Sequence, residues 1–394
     1  MNRELLDEVL LAYERQLRAQ ERLRRALGVK EVDRPTYERY VTGPIERFDR
    51  AKNAFKTLDQ DNPYGAEFRQ RFKDRTGHDH WRDRLPYAEL EPADRIGASL
   101  AEAADRVCRQ YEPEVLPVTP PEGRMEVTDP AWMARLIKKV GMLFGAKMVR
   151  ITELDRRWVY EDVDVPHKYA IVIVVPHVRS MNDTAPSQFS WFSSCYSYSQ
   201  LKFITTQLSD FIAGLGYEAQ YRETLGFNPE LLMVPVAIDA GVGEFARNGR
   251  VMSPEYGVNM RVKAVTTDMP LKIDKPISFG AHDFCMACEN CATYCPPRAI
   301  PFGPPTDSPD SVHVNPGYRK WYVDAQKCLT FWSIDKAHWL SCGGRCMSVC
   351  PWNKEQNVFH HLVRWFAIHA PPFLKRALVN VDRRLYHRER SIKR

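Results

Sequence analysis

Eight of the ten cysteines in this chain of 394 residues fall between Cys285 and Cys350. The first run reads Cys285-x-x-Cys288-x-x-Cys291-x-x-x-Cys295-Pro296. The second reads Cys342-x-x-x-Cys346-x-x-x-Cys350-Pro351, and Cys328 stands alone between them. Two-residue spacers let three successive thiolates wrap one iron–sulfur cube from a tight loop. A three-residue step ending in Cys-Pro turns the fourth thiolate away, toward a second cube. The spacing therefore predicts one 4Fe–4S cluster on Cys285, Cys288, Cys291 and Cys350. It predicts another on Cys328, Cys342, Cys346 and Cys295. The second set is the less regular, because a three-residue spacer separates Cys342 from Cys346. Zinc would favour paired C-x2-C knuckles, and a disulfide framework suits small secreted chains.

Two adjacent clusters conduct electrons but do no substrate chemistry, so the rest of the chain must say where the electrons go. At 44% hydrophobic residues there is material for a real core. The longest apolar run, Tyr169 to Pro176, is far short of the roughly 20 residues of a membrane span. The first residues, MNRELLDEVLLAYERQLRAQ, carry charges throughout and show no apolar signal core and no twin arginine. The expectation is a cytoplasmic, reducing location with no membrane span. The net charge of +6 is matched by residues 373–394 alone, where eight Lys and Arg meet Asp382 and Glu389. The remainder is near neutral, which argues against a nucleic-acid partner needing a broad basic face. The tail is expected to be a solvated helix, or a contact for an anionic surface or an acidic donor.

Leu5, Leu6, Val9, Leu10, Tyr13 and Leu17 recur at helical spacing. Residues 31–125 are polar and irregular; His78, His80 and Trp81 within them read as surface residues. From Asp129-Pro130 a helix is expected, with proline at its start. MVRITEL and Tyr169–Pro176 read as strands, the latter central because it is apolar on both faces. A helix is expected over 201–215, a strand over 232–238, and another strand over 262–267. Residues 187–197 read as a loop bearing Trp191 and Phe192. Alternation of strand and helix suggests an α/β (α+β) domain. The expected organisation is a helical and irregular region over 1–125, a ligand-binding domain over 126–280, a two-cluster module over 281–356, and a helix with basic tail over 357–394. His360, His361 and His369 in the last of these read as packing residues.

The stretch Val234-Pro-Val-Ala-Ile-Asp-Ala-Gly-Val-Gly-Glu244, Arg247, Ser253-Pro-Glu-Tyr-Gly257, Arg261, Thr267-Asp-Met-Pro-Leu271 and Asp274-Lys-Pro-Ile277 runs into the first cysteine motif. With Phe211-Ile-Ala-Gly-Leu-Gly-Tyr217 and Cys350-Pro-Trp-Asn353 it closely resembles the corrinoid-dependent reductive dehalogenases. The resemblance covers about residues 127–369. It implies a nitroreductase-like domain holding a cobalamin, followed by a ferredoxin-like module with two 4Fe–4S clusters. It implies that the cobalamin is base-off, and no D-x-H-x-x-G motif offers cobalt a histidine. Gly241, Gly243, Glu244, Arg247 and Tyr256 fall in the blocks expected to contact the corrinoid. One cluster would reduce cobalt to Co(I), and an organohalide would be the substrate.

By the same resemblance, the proton donor is Tyr198, thirteen residues before Phe211, with Tyr196 as its rival. The accompanying cation is Arg261, and Asn228 loosely matches a polar residue near the substrate. A nearby positive charge stabilises the phenolate that proton donation leaves behind. A separate low-potential donor of ferredoxin or flavodoxin type is expected. The chain lacks the leader of respiratory members, so it looks more like a catabolic one. Epoxyqueuosine reductase, a related tRNA-modifying enzyme, is the alternative. Its usual G-W-I-G-K-N run is replaced here by Gly243-Glu-Phe-Ala-Arg-Asn248. A simple iron–sulfur electron carrier is a third reading, opposed by the large excess of chain.

Overall fold

The computed structural model describes residues 3–79, 90–110, 123–222, 229–309, 311–334 and 344–386. Its strands are β1 (Lys30–Glu31), β2 (Met148–Glu153), β3 (Tyr169–Pro176), β4 (Ala219–Arg222), β5 (Glu244–Phe245), β6 (Val251–Met252), β7 (Met260–Thr267) and β8 (Ile277–Ser278). The main sheet has the order β2-β3-β7-β4, and every neighbouring pair is antiparallel. The fold is thus mixed α/β with an antiparallel sheet.

β3 is central, as its composition predicts. Side chains alternate across a strand, so its two faces feed two cores. Ile171, Ile173 and Val175 pack with Ile137 and Val140 of the helix Pro130–Leu143 and with Leu201, Ile204 and Leu208 of the helix Gln188–Gly214. Ala170, Val172 and Val174 pack on the other side with Trp158, Val236 and Ile238. Fully burying one such aliphatic side chain is worth about 1.5–3 kcal/mol, which fixes the register of the sheet.

Two local expectations are corrected. Residues 232–238 were expected as a strand, but Met233–Asp239 is a helix. Its residues up to Ile238 are all apolar and nearly all buried, which erases the period that distinguishes helix from strand. Pro235 sits in its first turn, where a missing N–H costs nothing. The expected loop 187–197 is also helical. The long helix starts at Gln188 behind a capping box between Ser187 and Ser190. The helix Pro92–Gln110 comes close to its start: a Cβ on Gly97 would lie 2.8 Å from the Cβ of Gln188.

The N-terminal region is tied into the rest. Arg24 is buried, donates to the Gly241 carbonyl at 2.8 Å and pairs with Glu255. β1 pairs with β8, immediately before the first cysteine run.

Candidate active site and cysteine module

Tyr198 lies three turns into the long helix, and Arg261 lies on β7, in register with Val175 of β3. Residues four apart share a helix face, so Ser194 and Tyr198 look the same way. Arg261 meets both. Its Nη2 donates to Ser194 Oγ at 3.2 Å, and its guanidinium carbon lies 4.8 Å from the Tyr198 ring centroid. Tyr196 points elsewhere: it is 39% exposed and packs on Phe192.

Behind this pair lies a buried polar group that the sequence did not announce. Arg250 donates to the carbonyls of Val258 and Met260. Burial, then the charge of Arg261, pull its pKa down to about 10, while Cys346 and Tyr198 oppose the shift. His177 ends β3 on this side, with Nδ1 3.4 Å from Ser193 Oγ. Burial first, then Arg261 and Arg250, hold its imidazole well below its usual pKa, so it is neutral. Burial raises the Cys346 thiol's pKa, and Arg250 and Asn248 beside it oppose the shift. Among the described residues, Arg261 Nε, His177 Nε2, Asn248 Oδ1 and Asn259 Oδ1 are buried without a partner. Buried polar atoms ordinarily have one. A polar group held between the sheet and Cys346 would satisfy them, as the amide-rimmed corrinoid expected there would.

The cysteines form two neighbourhoods. Cys285, Cys288, Cys291, Cys346 and Cys350 all line one cavity. Cys291, Cys295, Cys328 and Cys346 gather around Ala292, Ala299 and Ile300, so Cys291 and Cys346 border both groups. Cys342 lies outside the described residues. The two short helices Ala281–Cys288 and Asn290–Thr293 turn on Glu289, whose φ is 54°. Burial pushes the Cys285 thiol up to about 11, and burial together with the Cys285 thiol beside it pushes Cys288 up to about 12. For Cys350 burial leads again, followed by Cys288 and Cys285. For Cys295 burial is followed by Cys328 and Cys346. Crowded, buried thiols resist ionisation, and a metal's positive charge inverts that preference. The donor set fits iron–sulfur clusters.

The five residues expected against the corrinoid are engaged with protein. A Cβ on Gly241 (φ 75°) would lie 2.2 Å from the Lys275 carbonyl oxygen, and one on Gly243 would lie 1.8 Å from that of Met252. Close backbone therefore demands both glycines. Glu244 accepts from the amides of Phe279 and Ala281 at 3.0 and 2.8 Å, anchoring the helix that carries Cys285. Burial raises its pKa, against those hydrogen bonds. Arg247 donates to the Cys285 carbonyl and to those of Pro301 and Gly303. Tyr256 is half-buried, and burial pushes its phenol up to about 12.

Asn353 and Trp352 explain the Cys-Pro-Trp-Asn sequence. Asn353 Oδ1 accepts from the Val258 amide at 2.9 Å, and its Nδ2 donates to the Met347 carbonyl at 2.6 Å. Trp352 donates to the Pro254 carbonyl. The turn before Arg261 is thereby clamped to the segment after Cys350. His360, His361 and His369 bond within their own helix. His78 lies in a turn, its amide bonded to Thr76. His80, Trp81, Asn228 and the tail beyond Tyr386 lie outside the described residues.

Residues 284–354 match the family of 4Fe–4S dicluster domains. The chain is 30% identical over 306 residues to the tetrachloroethene reductive dehalogenase of Sulfurospirillum multivorans, covering 68% of this chain and 59% of that protein. It is 30% identical over 137 residues to the epoxyqueuosine reductase of Bacillus subtilis, covering 32% of this chain. Among solved structures it is similar to the catabolic reductive dehalogenase NpRdhA, with a TM-score of 0.71 and 25% identity over 91% of this chain and 49% of that one. A second reductive dehalogenase structure, described with a mechanism for B12-dependent dehalogenation, also gives 0.71. The chain is related to the reductive dehalogenases in sequence and in fold. It spans about three-fifths of the first of these relatives and half of NpRdhA.

Proposed function

We propose that this protein reductively removes halogen from an organohalide at a corrinoid held base-off between Tyr198 and Cys346. The observation that carries the reading is the Arg261 guanidinium 4.8 Å from the Tyr198 ring, on the side of the sheet that faces a cluster cysteine. Cys285, Cys288, Cys291 and Cys350 would hold one 4Fe–4S cluster, and Cys295, Cys328, Cys342 and Cys346 the other. Bound there, these groups supply electrons at low potential, within the range down to about −700 mV that clusters reach.

The chain's own residues do the rest. Tyr198 Oη holds the proton that replaces the halogen on carbon. Arg261 stands where negative charge develops as that proton leaves, so its help grows toward the transition state. Ser194 fixes one guanidinium nitrogen. Neutral His177 fills the space beside two arginines without adding a third charge. The electrons come from a separate low-potential donor of ferredoxin or flavodoxin type.

Anaerobically purified protein tests the reading. The cluster content predicts about eight irons per chain with two full cubes, beside about one cobalt. Electron paramagnetic resonance of the Co(II) form should lack nitrogen superhyperfine splitting. Tyr198→Phe should keep both metals but lose roughly 100- to 10,000-fold in halide release, the range of general acid catalysis. Tyr196→Phe should lose little. Full activity in Tyr198→Phe, or active protein free of corrinoid, would sink the proposal.

A further inference from the structure

The last two described helices, Val358–His369 and Pro372–Tyr386, are built inside out. Phe359, Leu362 and Phe366 on the first, and Phe373, Val381 and Leu385 on the second, are each more than half exposed. Their spacings, i, i+3, i+7 and i, i+8, i+12, make one stripe on each helix. The polar anchors point the other way. Buried Arg364 donates to the Trp352 and Lys354 carbonyls, and Arg383 donates to the Cys288 carbonyl at 2.9 Å. The two helices pack on each other, and the second packs on the helix Ala281–Cys288. Soluble proteins rarely expose so much contiguous apolar surface without a partner for it.

Charge decides which partner. Asp382 is the only acidic residue between Val358 and Tyr386, and Lys354 holds it at 3.1 Å. Arg376 and Arg384 stand exposed beside the second stripe. A second copy of this chain would bring a like-charged face against this one, which is repulsive. A transient redox protein buries little surface, under about 1,200 Å². An apolar helix face edged by arginine is the pattern of a helix lying in a lipid interface. We propose that this helix pair docks the protein flat on an anionic membrane surface, without spanning it. No helix among the described residues is long and apolar enough to cross one.

Sedimentation of the iron-loaded full chain with vesicles tests this. Phosphatidylcholine vesicles with about one-third phosphatidylglycerol should bind at least tenfold more tightly than pure phosphatidylcholine, and salt should weaken the difference. Leu362→Gln with Phe366→Gln should weaken binding at least tenfold, with iron content and thermal midpoint unchanged, since both side chains are exposed. Arg376→Gln with Arg384→Gln should reduce the anionic preference while leaving binding to pure phosphatidylcholine as it was. The proposal fails if the wild type does not sediment with anionic vesicles, or if the Leu362/Phe366 variant binds equally well. It also fails if light scattering shows a dimer that this variant dissociates, because a second copy then covers the face.

Discussion

Replacing Arg261 with methionine tests the geometry of the proposed proton donor more sharply than removing the tyrosine. The guanidinium carbon is 4.8 Å from the ring centroid. Against the neutral phenol the interaction is a cation–π contact, worth about 0.5–2 kcal/mol. Against a full phenolate at that distance, Coulomb's law with an effective dielectric of about 20 gives about 3.5 kcal/mol. If half the charge has developed at the transition state, about 1.7 kcal/mol of charge stabilisation is lost, or roughly 20-fold in rate. Full charge would give a few hundredfold. Arg261→Met should therefore lower kcat by about 20- to 300-fold, measured as halide release by iron- and corrinoid-replete protein. KM should change little, because the interaction strengthens after binding. Arg261→Lys keeps a charge and should recover part of the loss. Arg261→Met also removes a charge from beside Arg250 and His177, so the thermal midpoint should hold or rise. If the loss lay wholly in KM, or if the lysine variant were as slow as the methionine one, charge on Arg261 would not be what assists the proton.

Cys350→Ala should remove the cluster of the first run, not that of the second, because Cys350 shares a cavity with Cys285, Cys288 and Cys291; spectra showing loss of the second-run cluster alone would contradict the crossed assignment. Asp239, bonded by Tyr37 at 2.6 Å and Trp158 at 2.8 Å, is raised by burial to about 7 from an ordinary 3.8. Its folded pKa is the higher one, so the folded state binds more protons between those values. Its contribution to stability is present below about pH 4 and is lost as pH rises through about 7. Thermal midpoints from pH 4 to 8 should show this fall, and Asp239→Asn should flatten it.

Long-range features were readable where a residue pattern has one physical cause. Tyr169–Pro176 is apolar on both faces, so it lies inside a sheet with packing on each side. Cys-Pro at residues 295 and 350 predicts that each thiolate turns toward the other run's neighbourhood, and Cys350 does line a cavity with Cys285, Cys288 and Cys291. The Tyr198–Arg261 pair came from family resemblance, and the fold supplies its reason: helix periodicity turns Tyr196 outward. Patterns with two possible causes misled. The uniformly apolar run 232–238 fits a buried strand or a buried helix, and Met233–Asp239 is the helix. Serine-rich residues 187–197 look like a loop, yet small residues are what a helix needs under close neighbours. Glu244 and Arg247 were expected to meet a ligand. Their partners here include backbone groups of residues 279–303, which nothing in the local sequence shows. His177 and Arg250 carry no motif at all; only the sheet register and the turn at 253–258 bring them beside Arg261.

Asn353, Trp352, Glu244 and Arg247 join the backbone around the cysteines to the backbone around Arg261 through hydrogen bonds, and Met252 and Val258 pack against Phe284, Cys285 and Trp352. Metal-binding energy in such a module is also folding energy. Stripping iron from the first cysteine run should therefore slacken the turn at 253–258 and, with it, the strand that aims Arg261. Oxygen damage to a cluster would then do more than stop the current. Under the proposed function, it would also loosen the grip on the corrinoid and blur the partner of the proposed proton donor, so that a protein unable to receive electrons also stops holding its reactive centre ready.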